Sequence, residues 1–321
     1  MFGYFLLFPK LDLFNMKKNF PASRHPAPKT KILEVTEENT LLNFLFSSLS
    51  HQSKTSIKSL LKHQQIVVNG KPTTQFDIPL HKGDKIEIGF GKANKPFSHA
   101  QLKIVYEDSS LLVVEKAAGL LSMATERIQE KTAYRILSDY VKQNNPHNRI
   151  FILHRLDRDT SGLMMFAKNQ EIQEKLQSDW GNVITERKYI AVIEGNLPLQ
   201  QGSIRSYINE NSAFFVHTTT PQEGKLAITH YKVIKKNARY ALVELELETG
   251  RKNQIRVHMQ AQGCPVTGDK KYGARYNPLH RLALHAFKLC FIHPQTGERL
   301  NFETPIPNRF NLLIKDKETL N

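Results

Sequence analysis

Hydrophobic positions recur in two rhythms along the chain. Leu41, Leu42, Leu45, Phe46 and Leu49 repeat at helical spacing after the polar stretch Thr36-Glu37-Glu38-Asn39, which can cap a helix. Ile57, Leu60 and Leu61 form the stripe of a second short helix starting after Ser53. The pattern then shortens. Ile66-Val67-Val68 reads as a strand, Asn69-Gly70 as a hairpin turn, and Lys71 as the start of the return; Gly83-Asp84 precedes a further strand over Lys85 to Ile88. From Gln101 onward strands dominate: Leu111 to Glu115, Phe151 to Leu153, Leu163 to Ala167, Tyr189 to Ile193 and Tyr240 to Leu247. In the last of these, Val243, Leu245 and Leu247 alternate with Glu244, Glu246 and Glu248, which predicts one buried and one wet face. A helix is expected over Thr132 to Lys142, with Tyr134, Ile136, Leu137 and Tyr140 as its apolar positions. Few of the strands are joined by crossover helices. The large region is therefore expected to be α+β, with a mixed, mainly antiparallel sheet.

Two stretches carry no period and set the domain boundaries. Residues 19–30 are rich in Pro and Ser, and residues 90–100 contain Gly, Pro, Ser and two lysines. The expected organisation is a disordered or extended segment over 1–30, a small α/β domain over 31–89, a linker over 90–100 and a large domain over 101–321. Residues 1–15 are apolar but lack a basic leader, and Pro9, Lys10 and Asp12 interrupt them. Met16-Lys17-Lys18 is a more natural beginning, so the first fifteen residues read as a short extension. With no run long enough to span a bilayer, a cytoplasmic monomer is expected.

Charge changes the picture. The 321 residues carry a formal net charge of +15, which points to a polyanionic partner, nucleic acid first and an anionic membrane surface second. Lys54, Lys58 and Lys62 fall at i, i+4 and i+8 on the second helix, forming one ridge away from its apolar stripe. Like charges at that spacing repel, and a phosphate backbone running past would relieve them. A merely solvated lysine face is the competing reading. The two cysteines, Cys264 and Cys290, read as buried reduced thiols. No GxGxxG follows a strand, and no GxxxxGK[ST] or HExxH occurs, so a nucleotide-driven reaction, a dinucleotide cofactor and a metal centre are all without support.

The chemistry concentrates in His154-Arg155-Leu156-Asp157-Arg158-Asp159-Thr160-Ser161-Gly162. Two carboxylates sit between arginines just after an apolar strand. An opposite charge nearby favours an ionised carboxylate, which can act as nucleophile or base. Three readings compete on the residues alone: a turn with surface ion pairs, a divalent-metal site through Asp157-x-Asp159, and a catalytic carboxylate in an RNA site.

The segment HRLDRDTSGL resembles the signature HRLDxxTSG of the RluA family of pseudouridine synthases. Further motifs resemble the family in order: Lys116-Ala117-Ala118-Gly119 (with Ala117 for the usual proline), Lys188-Tyr189-Ile190-Ala191, Thr249 to His258 (with Asn253 where histidine is common), Gly268-Asp269 with Tyr272-Gly273, Leu284-His285-Ala286, His293-Pro294 and Thr296-Gly297. Residues 31–89, with a basic second helix, VNG and GD, resemble the small RNA-binding domain named for the ribosomal S-four protein.

The resemblance implies a pseudouridine synthase fold with a central cleft. It also implies conversion of uridine in RNA to pseudouridine, without a cofactor. By motif position, Asp157 is the essential aspartate, Arg256 its partner, Tyr189 the tyrosine that stacks on the base, and Arg155 a residue that fills the gap in the RNA stack. Asp159 falls at a variable position and reads as structural. Attack on the sugar carbon, addition to the uracil ring, and removal of a sugar proton all remain open for Asp157. Ribosomal RNA of the large subunit is the favoured substrate over transfer RNA. A non-catalytic RNA-binding protein and a metal-dependent glycosyltransferase are the competing functions.

Overall fold

A computed structural model describes residues 30–62, 65–89, 97–124, 131–143 and 145–315. The readings made for residues 1–29 and 90–96 lie outside these. Within 30–89 the two amphipathic stretches fold as helices Leu41–Ser48 and Lys54–Lys62. The second starts where the sequence placed it, with the Ser53 hydroxyl accepting from the Ser56 backbone N–H at 3.1 Å. Strands Thr30–Glu34, Lys85–Gly89, Ile66–Val68 and Lys71–Thr73 form an antiparallel sheet in that order. Asn69 and Gly70 both take positive φ, 49° and 79°, as the tight hairpin requires. Leu41, Leu45, Leu49, Ile57, Leu60, Leu61, Ile66, Ile86 and Ile88 close a separate core. Lys54, Lys58 and Lys62 stay outside it, exposed, and the Lys54 ammonium lies 5.8 Å from the centre of the Phe46 ring.

The expected linker stretch is not all linker. Among its described residues, Phe97 packs edge-on against Tyr140 at 5.1 Å, and His99 bridges to Leu102.

The remaining chain builds one large sheet. Its order is Val216–Thr219, Gln201–Glu210, Lys225–Lys236, Tyr240–Leu247, Ile184–Glu194, Leu284–Ile292, Ser161–Ala167, Leu111–Lys116 and Leu102–Glu107. Arg299–Glu303 adds to Leu284–Ile292, and Phe151–Ile152 to Ser161–Ala167. One described pairing is parallel: Ser161 and Gly162 lie opposite His285 and Ala286. The other described pairings are antiparallel, so the sheet is mixed and mainly antiparallel as expected.

Leu112, Val114, Met164 and Phe166 enter one core, and Leu111, Val113, Leu163 and Met165 the other. Helices cover both faces here, which is why these strands read as continuous apolar runs. The strand around Tyr189 runs longer than the apolar stretch suggested, from Ile184 to Glu194, because it is hydrogen-bonded on both sides.

Helix Ala133–Lys142 forms behind a Thr132 cap, and of its expected apolar positions Leu137 is buried, Ile136 and Tyr140 pack against the core, and Tyr134 alone departs. Ala133, Leu137, Ser138 and Val141 are enclosed, while Tyr134 is exposed. Small residues allow the close approach, and the tyrosine is carried outward. Cys264 and Cys290 are both buried and free.

Candidate active site

Asp157 sits in the loop His154–Thr160 that leads into strand Ser161–Ala167. Its neighbours on both sides are pinned. The Ser122 hydroxyl donates to Leu156 O at 2.6 Å and accepts from Leu156 N at 3.2 Å. Arg158 O accepts from Gly119 N at 2.9 Å and from the Lys116 ammonium at 3.0 Å. Lys116 is wholly buried and also donates to Ala117 O and Leu120 O. Burial pushes its pKa down to about 8 against the pull of Asp159 and Asp157. The Lys-Ala-Ala-Gly turn is thus a cradle for the aspartate loop. Gly119 holds φ at +87°, a conformation only glycine takes freely. Ala117 stands where proline is usual, and its N–H donates to Gln101 O at 2.9 Å, a bond that proline lacks.

Arg256 comes from helix Gln254–Ala261, which packs on strands Gln201–Glu210, Val216–Thr219 and Lys225–Lys236. Its guanidinium reaches Asp157 Oδ2 at 3.3 Å through Nη1. Asp269 holds it from the other side, accepting from Nε at 2.6 Å and from Nη2 at 2.8 Å. The Tyr272 ring lies beneath at 4.9 Å, and Asn253 Oδ1 accepts from Nη1 at 3.2 Å. Burial disfavours the cation, but the hydrogen bonds and charge of Asp269, and then those of Asp157, outweigh it and raise the pKa. Asn253 also donates to the Tyr272 hydroxyl at 3.0 Å from a left-handed backbone position, φ 54°. Its presence in place of histidine therefore builds the support under Arg256.

Tyr189 lies on the central strand and is 6% exposed. Burial raises its phenol pKa. A small cavity brings Tyr189 together with Asp157, Arg256, Arg155, Leu247 and Leu284. Four sequence-predicted residues thus meet there. Lys54, Lys58 and Lys62 lie in the separate 30–89 unit. Asp159 does not join Asp157. It lines another cavity with Arg281 and Lys270. Among the described residues no cluster of three His, Cys, Asp or Glu side chains arises that could hold a metal, and no helix is long and apolar enough to cross a membrane.

Asp269 is a site residue that the sequence alone does not reveal. Gly268-Asp269 was visible as a motif, but nothing in the sequence said that its carboxylate grips Arg256. The site is a small cavity in which Tyr189, Leu247, Ile255 and Leu284 stand beside the Asp157 carboxylate and the Arg256 guanidinium. One carboxylate is held at its mouth, and an arginine is fixed to aim it.

Comparison with known proteins agrees with this geometry. The RNA pseudouridylate synthase family profile matches residues 110–261. The chain is 36% identical over 272 residues to "Uncharacterized RNA pseudouridine synthase YhcT" of Bacillus subtilis, covering 82% of this chain and 90% of that protein. It is 33% identical over 280 residues to "Ribosomal large subunit pseudouridine synthase D" of Neisseria meningitidis, covering 81% and 74%. The solved structure of human RNA Pseudouridylate Synthase Domain Containing 1 superposes with a TM-score of 0.52 at 28% identity, over 66% of this chain and 86% of that one. The chain belongs to the RNA pseudouridine synthase family. It is accordingly an isomerase that acts on RNA.

Proposed function

We propose that this enzyme, a member of the RluA branch, isomerises uridine in large-subunit ribosomal RNA with Asp157 as its catalytic carboxylate. The bond from N1 of the base to C1′ of the sugar breaks, the base turns, and C5 bonds to C1′; the proton leaving C5 is balanced by one gained at N1. No atom is added, so no cofactor is required. The observation that carries the reading is the contact of Asp157 with Arg256 at the mouth of the Tyr189 cavity.

In this reading Tyr189 stacks on the uracil. Arg256 aims the carboxylate, and Arg155, exposed beside the cavity, stacks in the vacancy left by the extruded base. A few kcal/mol of unstacking is offset in part that way. Residues 30–89 serve as an S-four-type RNA grip through Lys54, Lys58 and Lys62. A relative named for the large ribosomal subunit supports that substrate over transfer RNA. The enzyme works as a cytoplasmic monomer, where ribosomal RNA is made.

The test is site-resolved pseudouridine mapping of ribosomal and transfer RNA. It compares cells lacking the gene with cells complemented by wild type or by Asp157→Asn. A ribosomal site should vanish with the gene and return only with wild type. Restoration by Asp157→Asn would refute the role of Asp157, and a site confined to transfer RNA would move the substrate.

A further inference from the structure

Beside the Tyr189 cavity opens a second, wider groove of about 670 Å³. The two share Arg155, Asp157, Arg251 and Asn253. The groove therefore adjoins the position of a base placed against Tyr189, within reach of the backbone that carries it. Its walls carry Arg155, Arg187, Arg251 and Lys252 against two carboxylates. Those two are spoken for: Glu210 pairs with Lys252, and Asp157 with Arg256. Among the described residues, Arg155, Arg187 and Arg251 have no carboxylate partner.

Two side chains that line this groove each carry an enclosed nitrogen without a hydrogen-bond partner: His154 Nδ1 and Arg187 Nε. His154 Nε2 accepts the Met165 backbone N–H at 3.1 Å, so the proton of the neutral ring resides on Nδ1. Burial and the charge of Arg187 push its pKa down to about 3, so the ring stays a neutral donor. Arg187 is seated by a bond from Nη2 to Thr249 O at 3.2 Å. Gly250 makes room for it, since a Cβ there would lie 2.8 Å from Nη2. An enclosed donor without an acceptor is costly. Two of them beside uncompensated cations call for a ligand that only accepts and carries negative charge.

We propose that His154 and Arg187 form a phosphodiester subsite that holds a backbone phosphate of the RNA strand whose uridine lies beside Asp157. This rests on the pseudouridine synthase reading of the adjoining cavity. The test measures equilibrium binding of an unmodified large-subunit ribosomal RNA transcript to the full chain across a salt series. Arg187→Gln should weaken binding about tenfold and reduce the slope of log Kd against log salt by about 0.7–0.9, one phosphate contact. Arg187→Lys should recover the slope but not the full affinity, because a point charge replaces a planar fork. His154→Phe should lower affinity and leave the slope unchanged, since a neutral donor releases no counterion. A role confined to packing would lower the melting temperature of these variants without moving the slope. Wild-type slope and affinity in Arg187→Gln would overturn the subsite. Binding needs no turnover. A transcript bound with this pattern but never isomerised would refute the pseudouridine reading and leave the subsite standing.

Discussion

Asp269 grips Arg256 with both carboxylate oxygens, at 2.6 and 2.8 Å, whereas Asp157 touches the same guanidinium through one nitrogen at 3.3 Å. The anchor of the arginine is therefore Asp269. Asp157 keeps Oδ1 without a hydrogen bond among the described residues. The site holds its reactive group lightly and its positioning group tightly, a division that lets a carboxylate engage substrate without first breaking a strong pair.

Asp269→Asn is expected to cost activity although Asp269 lies behind the site. Its side chain is 1% exposed, and removing one charge of an enclosed pair strands the other. The full penalty of about 3–5 kcal/mol is softened here because Arg256 retains Asp157, so about 2 kcal/mol of stability should be lost. A guanidinium freed to swing should lower kcat about a hundredfold, with KM for RNA changed far less. Steady-state kinetics and urea denaturation check both; wild-type kcat would remove Asp269 from the positioning role.

Lys116→Met should loosen the aspartate loop from below. The ammonium satisfies three carbonyls, Ala117 O at 3.0 Å, Leu120 O at 2.7 Å and Arg158 O at 3.0 Å. Arg158 O keeps the Gly119 N–H, and each of the two orphaned carbonyls costs about 1–3 kcal/mol, so the variant should lose at least about 2 kcal/mol and melt below wild type. Activity should fall further than stability explains, because Arg158 adjoins Asp157. An unchanged melting temperature would mean that water replaces the ammonium, and the cradle would be incidental.

The sequence exposed the loop that bears Asp157 because its residues are contiguous, and it placed the strand bearing Tyr189 because Tyr189 to Ile193 form a continuous apolar run that is buried on both faces. The Asp269–Arg256 grip was hidden for a physical reason: it joins a helix to a turn without periodicity, and a carboxylate's partner is set by tertiary approach. The parallel pairing of Ser161 with His285 is likewise non-local. The burial of Ala133 and Ser138 instead of Tyr134 shows that small size, which permits close approach, can outweigh hydrophobicity.

Acid should destabilise the enzyme through enclosed histidines. Burial lowers the pKa of His258 to about 4, and burial together with the charge of Arg281 does the same for His285. Both rings are held by hydroxyls, His258 by Ser206 and Thr229, His285 by Ser161 and Thr304. Each histidine binds a proton near pH 6.5 when unfolded but only near pH 4 when folded. The unfolded state therefore binds more protons between those values, and stability falls as pH drops from about 6.5 toward 4. The loss is on the order of 3 kcal/mol per ring. Denaturant midpoints at pH 7.5 and pH 5 should differ strongly in wild type and less in His258→Gln; equal differences would exclude His258 as a source.

Lys58→Ala with Lys62→Ala should weaken RNA binding and reduce the magnitude of its salt slope by about 1.4–1.8, two phosphate contacts. The residues are exposed on a helix whose buried face is formed by Ile57, Leu60 and Leu61, so stability should hold within about 0.5 kcal/mol. An unaltered slope would reduce the ridge to a solvated face. Because these lysines and Arg187 lie in separate units, their slope losses should add.

Gly162→Ala should break the sheet at its one described parallel pairing. Gly162 holds φ at +118°, and a Cβ there would lie 2.1 Å from Ala286 O and 2.6 Å from Ala286 N. Those are backbone atoms inside a strand bonded on both sides, so they cannot yield as a side chain would. Gly162 also pairs with Lys116 on its other edge, so any shift is passed to the cradle of Asp157. A loss above about 4 kcal/mol is expected, from strain and broken pairing together. Gly181→Ala is the control: it sits in a short helix with nothing within 4 Å of the added atom, and should be neutral or stabilising by up to about 1 kcal/mol. If urea midpoints show Gly162→Ala as stable as Gly181→Ala, the strands beside Asp157 are not fixed by this glycine.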